Sequence, residues 1–426
     1  MSKDEDLQDF LEQVTGYYLE NSDFNGLPLH LLGKLDPAAE AEMRNGLERL
    51  IRDDKVIIRT ATQGTPHIRA FGEDDATKMT EALSSVGLAD VVLYPSRAHL
   101  EAKLADDQFA DRPYTRELAL GTGQLDFRAF DVAVLEWYRN DPRYEYQTGD
   151  WGGAISIGDE YFQSDAVPER DQVVLKTFGF CFDDEMHRAV AVYCVYLADL
   201  SPEHQQVWKA RELTGDFRLH PDYYRTSMMG DWPERISMFD AYMQELGVVN
   251  QMAMAMGRPA LFRKDFDGER PPNFTFLVRP TQDEFNSFVL TLDKMLSDNL
   301  NKKFFGNDVP GETEETRKDG KVVVRQRGTI AMLEDWVRGR FRPEDPAPID
   351  EMFQTIKEVR KLRQKPAHGL KPNTFDPGLL KEQRALMSRT YDAIRTLRLI
   401  LENHPHVSLA DIRMSRELRE GKIWTF

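Results

Sequence analysis

The last third of the chain contains four long segments in which apolar residues recur at helical spacing on one side only. In residues 284–305 they form a single stripe: Phe285, Phe288, Val289, Leu292, Met295, Leu296, Leu300 and Phe304. The same one-sided pattern recurs in residues 329–341, 348–364 and 376–403. A helix with one apolar side has to bury that side against another element. We therefore predict a four-helix bundle over residues 281–426.

The first 72 residues have a different pattern, in which helical segments are followed by two strand-like runs. The runs lie within residues 55–71 and are separated by turn-forming residues. Three helices followed by a hairpin is the order of a winged-helix module, so we predict a winged-helix-like module over residues 1–72. In a DNA-binding module of this kind one helix enters the major groove. The third helix here carries Glu40, Glu42 and Glu48, which favours packing or partner docking over DNA reading.

Between these regions, residues 73–280 mix helical and strand-like runs, and we predict a mixed α/β middle domain there. The clearest strands are residues 171–182 and 187–197, which a short acidic segment joins. We expect these two runs to pair as an antiparallel hairpin. Taken together, the three regions predict an α+β multidomain protein.

Composition and charge limit the classes of protein to which the chain can belong. Hydrophobic residues make up 41% of the sequence and charged residues 30%, which is typical of a globular protein. The formal net charge of −17 argues against a general nucleic-acid coat, because such binding depends on neutralising phosphates. No apolar segment approaches the roughly 18 residues needed to span a bilayer, and the acidic N-terminus lacks a signal-peptide pattern. We therefore expect a cytoplasmic protein without a membrane partner.

The cysteine and histidine pattern predicts neither a disulfide framework nor a metal site. Cys181 and Cys194 are the only cysteines, and both lie in apolar strand-like runs, where we expect unreactive buried thiols. No spacing of cysteine and histidine resembles a zinc site. We predict no metal and no other cofactor.

One short stretch of the third predicted helix combines residues suited to phosphate chemistry. From Lys357 to Lys371 there are six basic residues and one acidic residue, a local excess of five positive charges in an acidic protein. Arg363 lies near the end of the helical pattern, Pro366 breaks that pattern, and His368 follows. A simpler interpretation is that the proline stops the helix and that the basic side chains suit its negative C-terminal end. An arginine and a histidine are also a pair able to cleave a phosphodiester.

The position of Arg363 and His368 on the third of four helices resembles the HEPN superfamily, the small helical domains of prokaryotic defence and toxin systems. The family signature is an arginine, four to six further residues and a histidine, and RQKPAH has the shortest of these spacings. Many active members have a small polar residue directly after the arginine. This sequence has Gln364 there, whose amide can also donate and accept hydrogen bonds.

The resemblance implies a metal-independent endoribonuclease, a toxin or anti-phage defence effector, whose active site is shared across a dimer of two bundles. It implies RNA as substrate, a homodimer formed through the C-terminal bundle, and an inhibitor or sensor protein as partner. In this chemistry His368 is the candidate acid or base and Arg363 the phosphate clamp. The neighbouring polar side chains are candidates for binding substrate: Arg360, Lys361, Gln364 and Lys365.

Two other classes of function remain open from the sequence. The bundle is also suited to a non-catalytic protein that binds a nucleotide, an RNA or a partner. A winged-helix DNA-binding regulator is the third alternative, and it depends on the N-terminal module alone.

Overall fold

The computed structural model describes residues 3–33, 36–60, 68–69, 75–266, 268–271, 273–316, 322–364 and 372–424. The fold contains both helices and strands, with several separate sheets, which agrees with the predicted α+β class. The chain divides into two compact units, Met1–Tyr223 and Tyr224–Phe426. The boundaries predicted at residues 72 and 280 both fall inside these units.

The first unit is built from short helices and two sheets. Its helices are α1 (Lys3–Glu20), α2 (Pro37–Arg52), α3 (Ala76–Ser85), α4 (Arg97–Lys103), α5 (Pro113–Ala119), α6 (Glu136–Arg139), α7 (Cys194–Ala198), α8 (Pro202–Lys209) and α9 (Pro221–Tyr224), whose last residue lies across the division. Its strands are β1 (Leu27–Pro28), β2 (Val56–Thr60), β3 (Val91–Pro95), β4 (Phe127–Phe130), β5 (Tyr144–Thr148), β6 (Gly152–Ile157), β7 (Val174–Phe182), β8 (Arg188–Tyr193) and β9 (Arg218–Leu219).

The smaller sheet of this unit has the order β1-β3-β2, and both pairings are antiparallel. Within the described residues β2 pairs with β3, about 35 residues further along the chain. The sequence predicted the run near His67 as the second strand of a hairpin with β2. Most of that run lies outside the described residues. Side chains of α1, α2, α3 and β3 share one hydrophobic core. Because α3 and β3 belong to this core, the N-terminal structure continues past residue 72.

The larger sheet has the order β4-β8-β7-β6-β5, with β9 paired to β7. The predicted hairpin is confirmed over β7 and β8, which pair antiparallel from Gly179 opposite Ala191 to Phe182 opposite Arg188. The second strand is shorter than predicted, because the chain turns into α7 at Cys194. Cys181 and Cys194 are buried as expected. Burial raises the pKa of both thiols to about 12, which keeps them protonated and unreactive.

The second unit is mainly helical. Its helices are α10 (Met238–Ala255), α11 (Gln282–Met295), α12 (Thr329–Arg340), α13 (Ala347–Gln364), α14 (Gly378–Glu402), α15 (Pro405–Ser408) and α16 (Arg416–Glu420). Its strands are β10 (Ile236–Ser237), β11 (Glu312–Thr316), β12 (Val322–Gln326) and β13 (Ile423–Trp424). Strands β10 and β13 pair in parallel, and β11 pairs with β12 as an antiparallel hairpin.

The four predicted C-terminal helices are present as α11, α12, α13 and α14, and their apolar stripes meet in one core. A fifth long helix belongs to the same core. Helix α10 buries Tyr242, Leu246 and Val249 among side chains of that core. The domain boundary predicted at residue 280 would separate α10 from the core to which it belongs. The sequence did not indicate this, because α10 is apolar on several sides and lacks the one-sided pattern that predicted the other helices.

Candidate functional site at the ends of α11 and α13

Two helix ends meet at the site, and the local sequence accounts for both. Helix α11 begins at the cap residue Thr281, whose side-chain oxygen accepts the Glu284 backbone N–H, and it ends at Met295. The chain then turns so that the Asp298 backbone N–H bonds the carbonyl oxygen of Asp293 at 3.1 Å. Helix α13 buries one side through residues such as Phe353, Ile356 and Val359.

Arg360 and Arg363 are three residues apart on α13, so their side chains leave the helix on the same side. Both reach two carboxylates at the end of α11. Arg363 Nη1 lies 2.6 Å from Asp293 Oδ2 and 2.6 Å from Asp298 Oδ2. Arg360 Nη1 lies 2.8 Å from Asp293 Oδ2, and its Nη2 lies 2.9 Å from Asp298 Oδ1. We call these four residues the Arg–Asp cluster.

Burial differs strongly within the Arg–Asp cluster. The Asp293 side chain is 0% exposed, whereas each arginine is 30% exposed and Asp298 is 39% exposed. Among the described residues, Asp293 Oδ1 has no hydrogen-bond partner, so this carboxylate depends on the two arginines through its other oxygen. A buried carboxylate that loses its cationic partner is costly to the fold. The cluster therefore holds α11 and α13 together from the inside.

The electrostatics of the cluster favour the charged forms of Asp298 and Arg363. Burial alone would raise the pKa of Asp298, but hydrogen bonds from Arg360 and Arg363 outweigh it, so the pKa lies below its ordinary value. The hydrogen bond to Asp293 is the main cause that raises the pKa of Arg363. Two guanidinium groups thus face two carboxylates, and the cluster has no net charge.

Arg363 keeps part of its hydrogen-bonding capacity. Its two contacts in the cluster both use Nη1, and within the described part of the chain Nε and Nη2 have no hydrogen-bond partner. Arg360, in contrast, uses both terminal nitrogens on the two aspartates. The unused edge of the Arg363 guanidinium is the one that can form two parallel bonds to a phosphate or carboxylate.

The other sequence-predicted site residues divide into two groups. Lys361 and Gln364 are exposed residues of the last turns of α13, and no contact joins them to the cluster in the described structure. Lys365 and His368 lie outside the described residues, as does Lys371.

Most of the described basic side chains that the sequence places around Arg363 are paired with carboxylates in the folded chain. Lys357 pairs with Glu334 at 2.7 Å, and the two arginines pair with the aspartates. Glu358, the acidic residue of the stretch, pairs with Arg389 at 3.0 Å. Of the cations between residues 357 and 364, Lys361 alone has no ion-pair partner in the described structure.

Sequence reasoning missed both aspartates. Asp293 follows the buried Leu292 in the apolar stripe of α11, and Asp298 lies in the turn beyond the helix. The available signal was that an acidic residue beside a buried position in an amphipathic helix needs a cationic partner. The sequence does not say which of the many arginines supplies it.

No family model, curated protein or solved structure matches this chain. Within the described residues, no helix is long and apolar enough to cross a membrane, and no group of three or more histidine, cysteine, aspartate or glutamate side chains is arranged to hold a metal ion.

Proposed function

We propose that the second unit contains a HEPN-like helical domain and that the chain is an endoribonuclease of the toxin or defence type, with Arg363 and His368 as its catalytic pair. The observation that carries the proposal is the state of Arg363. Its side chain is fixed by two carboxylates and reaches the surface, and Nε and Nη2, which have no partner among the described residues, can bind a ligand.

The proposed reaction needs a base, an acid and a positive charge, and the pair supplies one proton-transfer group and the positive charge. The ribose 2′-oxygen attacks phosphorus and loses its proton to a base, and the bond from phosphorus to the 5′-oxygen breaks as that oxygen gains a proton from an acid. A cyclic 2′,3′-phosphate and a free 5′-hydroxyl result. His368 is assigned one of the two proton transfers, because imidazole titrates near neutral pH. Arg363 is assigned the stabilisation of the negative charge that develops on the phosphate oxygens.

One arginine and one histidine make a sparse active site, and a second copy of the chain supplies the remaining groups in this proposal. Two copies of Arg363 and His368 face one another across a homodimer of the helical unit. An inhibitor or sensor protein then controls an enzyme that would otherwise be toxic to its own cell.

The first unit is proposed to contain a winged-helix-like module that docks a protein. Residues 3–95 contain, in order, a helix, a strand, a one-turn 3-10 helix at Leu29–Leu32, a helix and two strands, if α3 is counted as an insertion. The sheet order β1-β3-β2 supports this assignment. The charges of α2 favour a protein partner over DNA. Its Arg44 is bound to Glu40 at 2.9 Å and to the backbone oxygen of Val86 at 2.9 Å, so this cation is not available for a phosphate.

The test is cleavage of labelled RNA by the full chain in the presence of a chelator. We expect Arg363→Ala and His368→Ala each to reduce the cleavage rate by about 10²- to 10⁴-fold. Arg363→Lys should also fail, because an ammonium group cannot reproduce the planar fork. Arg416→Ala is the matched control, since Arg416 is an exposed arginine of the same unit that pairs only with Glu420 among the described residues.

Circular dichroism and a sizing column would show that each variant keeps its fold and oligomeric state. Equal cleavage by the wild type and the variants of Arg363 and His368 would show that the two residues only end the helix and have no catalytic role. No cleavage by any protein, at any concentration of chain, would instead favour the non-catalytic binding function.

A further inference from the structure

The two carboxylates of the Arg–Asp cluster differ in how easily they can leave it. Asp293 projects from α11 and is fully buried, so breaking its contacts would leave a charge without water or a partner. Asp298 lies in the turn after α11 and is 39% exposed. Its side chain can rotate into solvent, where water replaces the arginines as hydrogen-bond donor. Exchange of a ligand in this cluster therefore has to occur at Asp298.

Charge balance selects the kind of ligand that can take its place. Two guanidinium groups and two carboxylates sum to zero, and a phosphodiester carries one negative charge, as Asp298 does. Replacing Asp298 by a phosphodiester keeps the cluster neutral. Adding the phosphodiester while Asp298 stays bound places three anions on two arginines and leaves the cluster with one net negative charge, which is unfavourable at hydrogen-bonding separations. The planar forks of Arg360 and Arg363 match the geometry of phosphate oxygens.

We propose that Arg360 and Arg363 form a phosphodiester-binding site in which the carboxylate of Asp298 is the displaceable occupant. The buried Asp293 keeps both arginines in position while the exchange takes place. Asp298 thus competes with nucleic-acid backbone and with other external anions for the two arginines, and it lowers the affinity of the free protein for both. The inference rests on the proposed function for the identity of the backbone as RNA.

The experiment measures binding separately from cleavage. The probe is a fluorescent 2′-O-methyl oligoribonucleotide, which lacks the nucleophilic 2′-hydroxyl and is therefore not cleaved by the proposed reaction. Its Kd for the full chain is measured by anisotropy for the wild type and for Asp298→Asn. We expect Asp298→Asn to bind about tenfold more tightly, as removal of one screened like-charge repulsion predicts.

Asp350→Asn is the matched control for the change in net charge. Like Asp298, Asp350 is an exposed carboxylate that pairs with an arginine. It lies on α13 and contacts Arg338 at 2.7 Å. We expect its Kd to stay within about twofold of the wild type, the range of a distant surface charge. A second variant, Asp298→Ser, guards against misfolding caused by the amide and should tighten binding in the same direction. Adding Arg363→Ala to Asp298→Asn should remove the gain.

The outcomes separate this inference from the proposed function. Unchanged or weaker binding by both folded Asp298 variants would overturn the inference, as would equal tightening by Asp350→Asn. Tighter binding by the Asp298 variants, in a protein that does not cleave unmodified RNA, would support the phosphodiester site and refute the ribonuclease. Cleavage by the wild type together with unchanged binding by the Asp298 variants would leave the ribonuclease and refute the role of Asp298.

Discussion

The helical unit contains two ionic groups that look alike in sequence and differ in structure. One is the Arg–Asp cluster, which extends from a fully buried carboxylate to the surface. The other is the pair of Glu245 on α10 and Arg398 on α14. Its Nε and Oε2 atoms lie 2.7 Å apart, and its side chains are 0% and 7% exposed. Both groups join two helices, but the guanidinium groups of the Arg–Asp cluster reach the surface, whereas that of Arg398 is buried and only its second partner, Glu402, is exposed.

The difference lies in burial rather than in the type of residue. Arg398 also bonds Glu402 at 3.1 Å, and in the described part of the chain Glu245 Oε1 has no hydrogen-bond partner. Burial raises the pKa of Glu245 in spite of the Arg398 hydrogen bond, whereas the arginines lower the pKa of Asp298 in spite of its partial burial. A buried pair fixes helix packing, while a pair that reaches water can also act as a site.

The largest expected effect is on the buried pair. Arg398→Met leaves the Glu245 carboxylate buried without its partner, and we expect the free energy of unfolding to fall by about 3–5 kcal/mol. Glu245→Met together with Arg398→Met should recover most of that loss, because apolar side chains of similar volume can replace an ion pair. Urea denaturation of the full chain, followed by far-UV circular dichroism, measures both. A single variant as stable as the wild type would contradict the structural role of the pair.

A smaller difference is expected inside the Arg–Asp cluster. Asp293→Asn removes the charge from the fully buried carboxylate and should cost about 2 kcal/mol, the range of hydrogen bonds between charged groups. Asp298→Asn should cost at most about 1 kcal/mol, because its carboxylate is partly exposed. Thermal melts of the two variants give the ranking. Equal losses would mean that the two aspartates do not divide into an anchor and an exchangeable partner.

The smallest effect is a difference in the sign of the pH dependence. The pKa of Asp298 is lowered from 3.8, so the stability that this carboxylate contributes is present above about pH 4 and is lost as pH falls through its folded pKa. The pKa of Glu245 is raised from 4.5, so folding favours its protonated form, and that contribution is lost as pH rises above 4.5 through the folded pKa.

Urea denaturation between pH 3 and pH 7 compares the wild type with Asp298→Asn and with Glu245→Gln. The stability advantage of the wild type over Asp298→Asn should shrink toward acid. The stability advantage of the wild type over Glu245→Gln should instead shrink as the pH rises. Curves that change in the same direction would show that both carboxylates have similar environments.

The local parts of this fold could be predicted from the sequence, and the long-range parts could not. Helical periodicity correctly indicated α11 to α14, and two apolar strand-like runs joined by a short acidic segment indicated the pairing of β7 with β8. Helix α10 was missed as a member of the same core, because a helix that is apolar on several sides has no one-sided stripe to read. The partner of β2 was missed because pairing across a long insertion leaves no local pattern.

The candidate site shows the same limit. The sequence predicted that Arg363 lies near the end of a helix, and α13 ends one residue later. The two aspartates that hold it are 70 and 65 residues away in the chain. Their role follows from the packing of α11 against α13, which no spacing of residues encodes.

The order of the small sheet determines when the first unit can fold during synthesis. Strand β3 is the last of its three strands along the chain, yet it lies in the middle and provides the pairing for both β1 and β2. A nascent chain that has reached only residue 72 therefore has two strands with no partner between them, and closing the sheet has to wait for Val91–Pro95 to leave the ribosome. Until then, the edges of β1 and β2 that β3 later covers are open to other chains, and unpaired strand edges favour aggregation or binding by a chaperone.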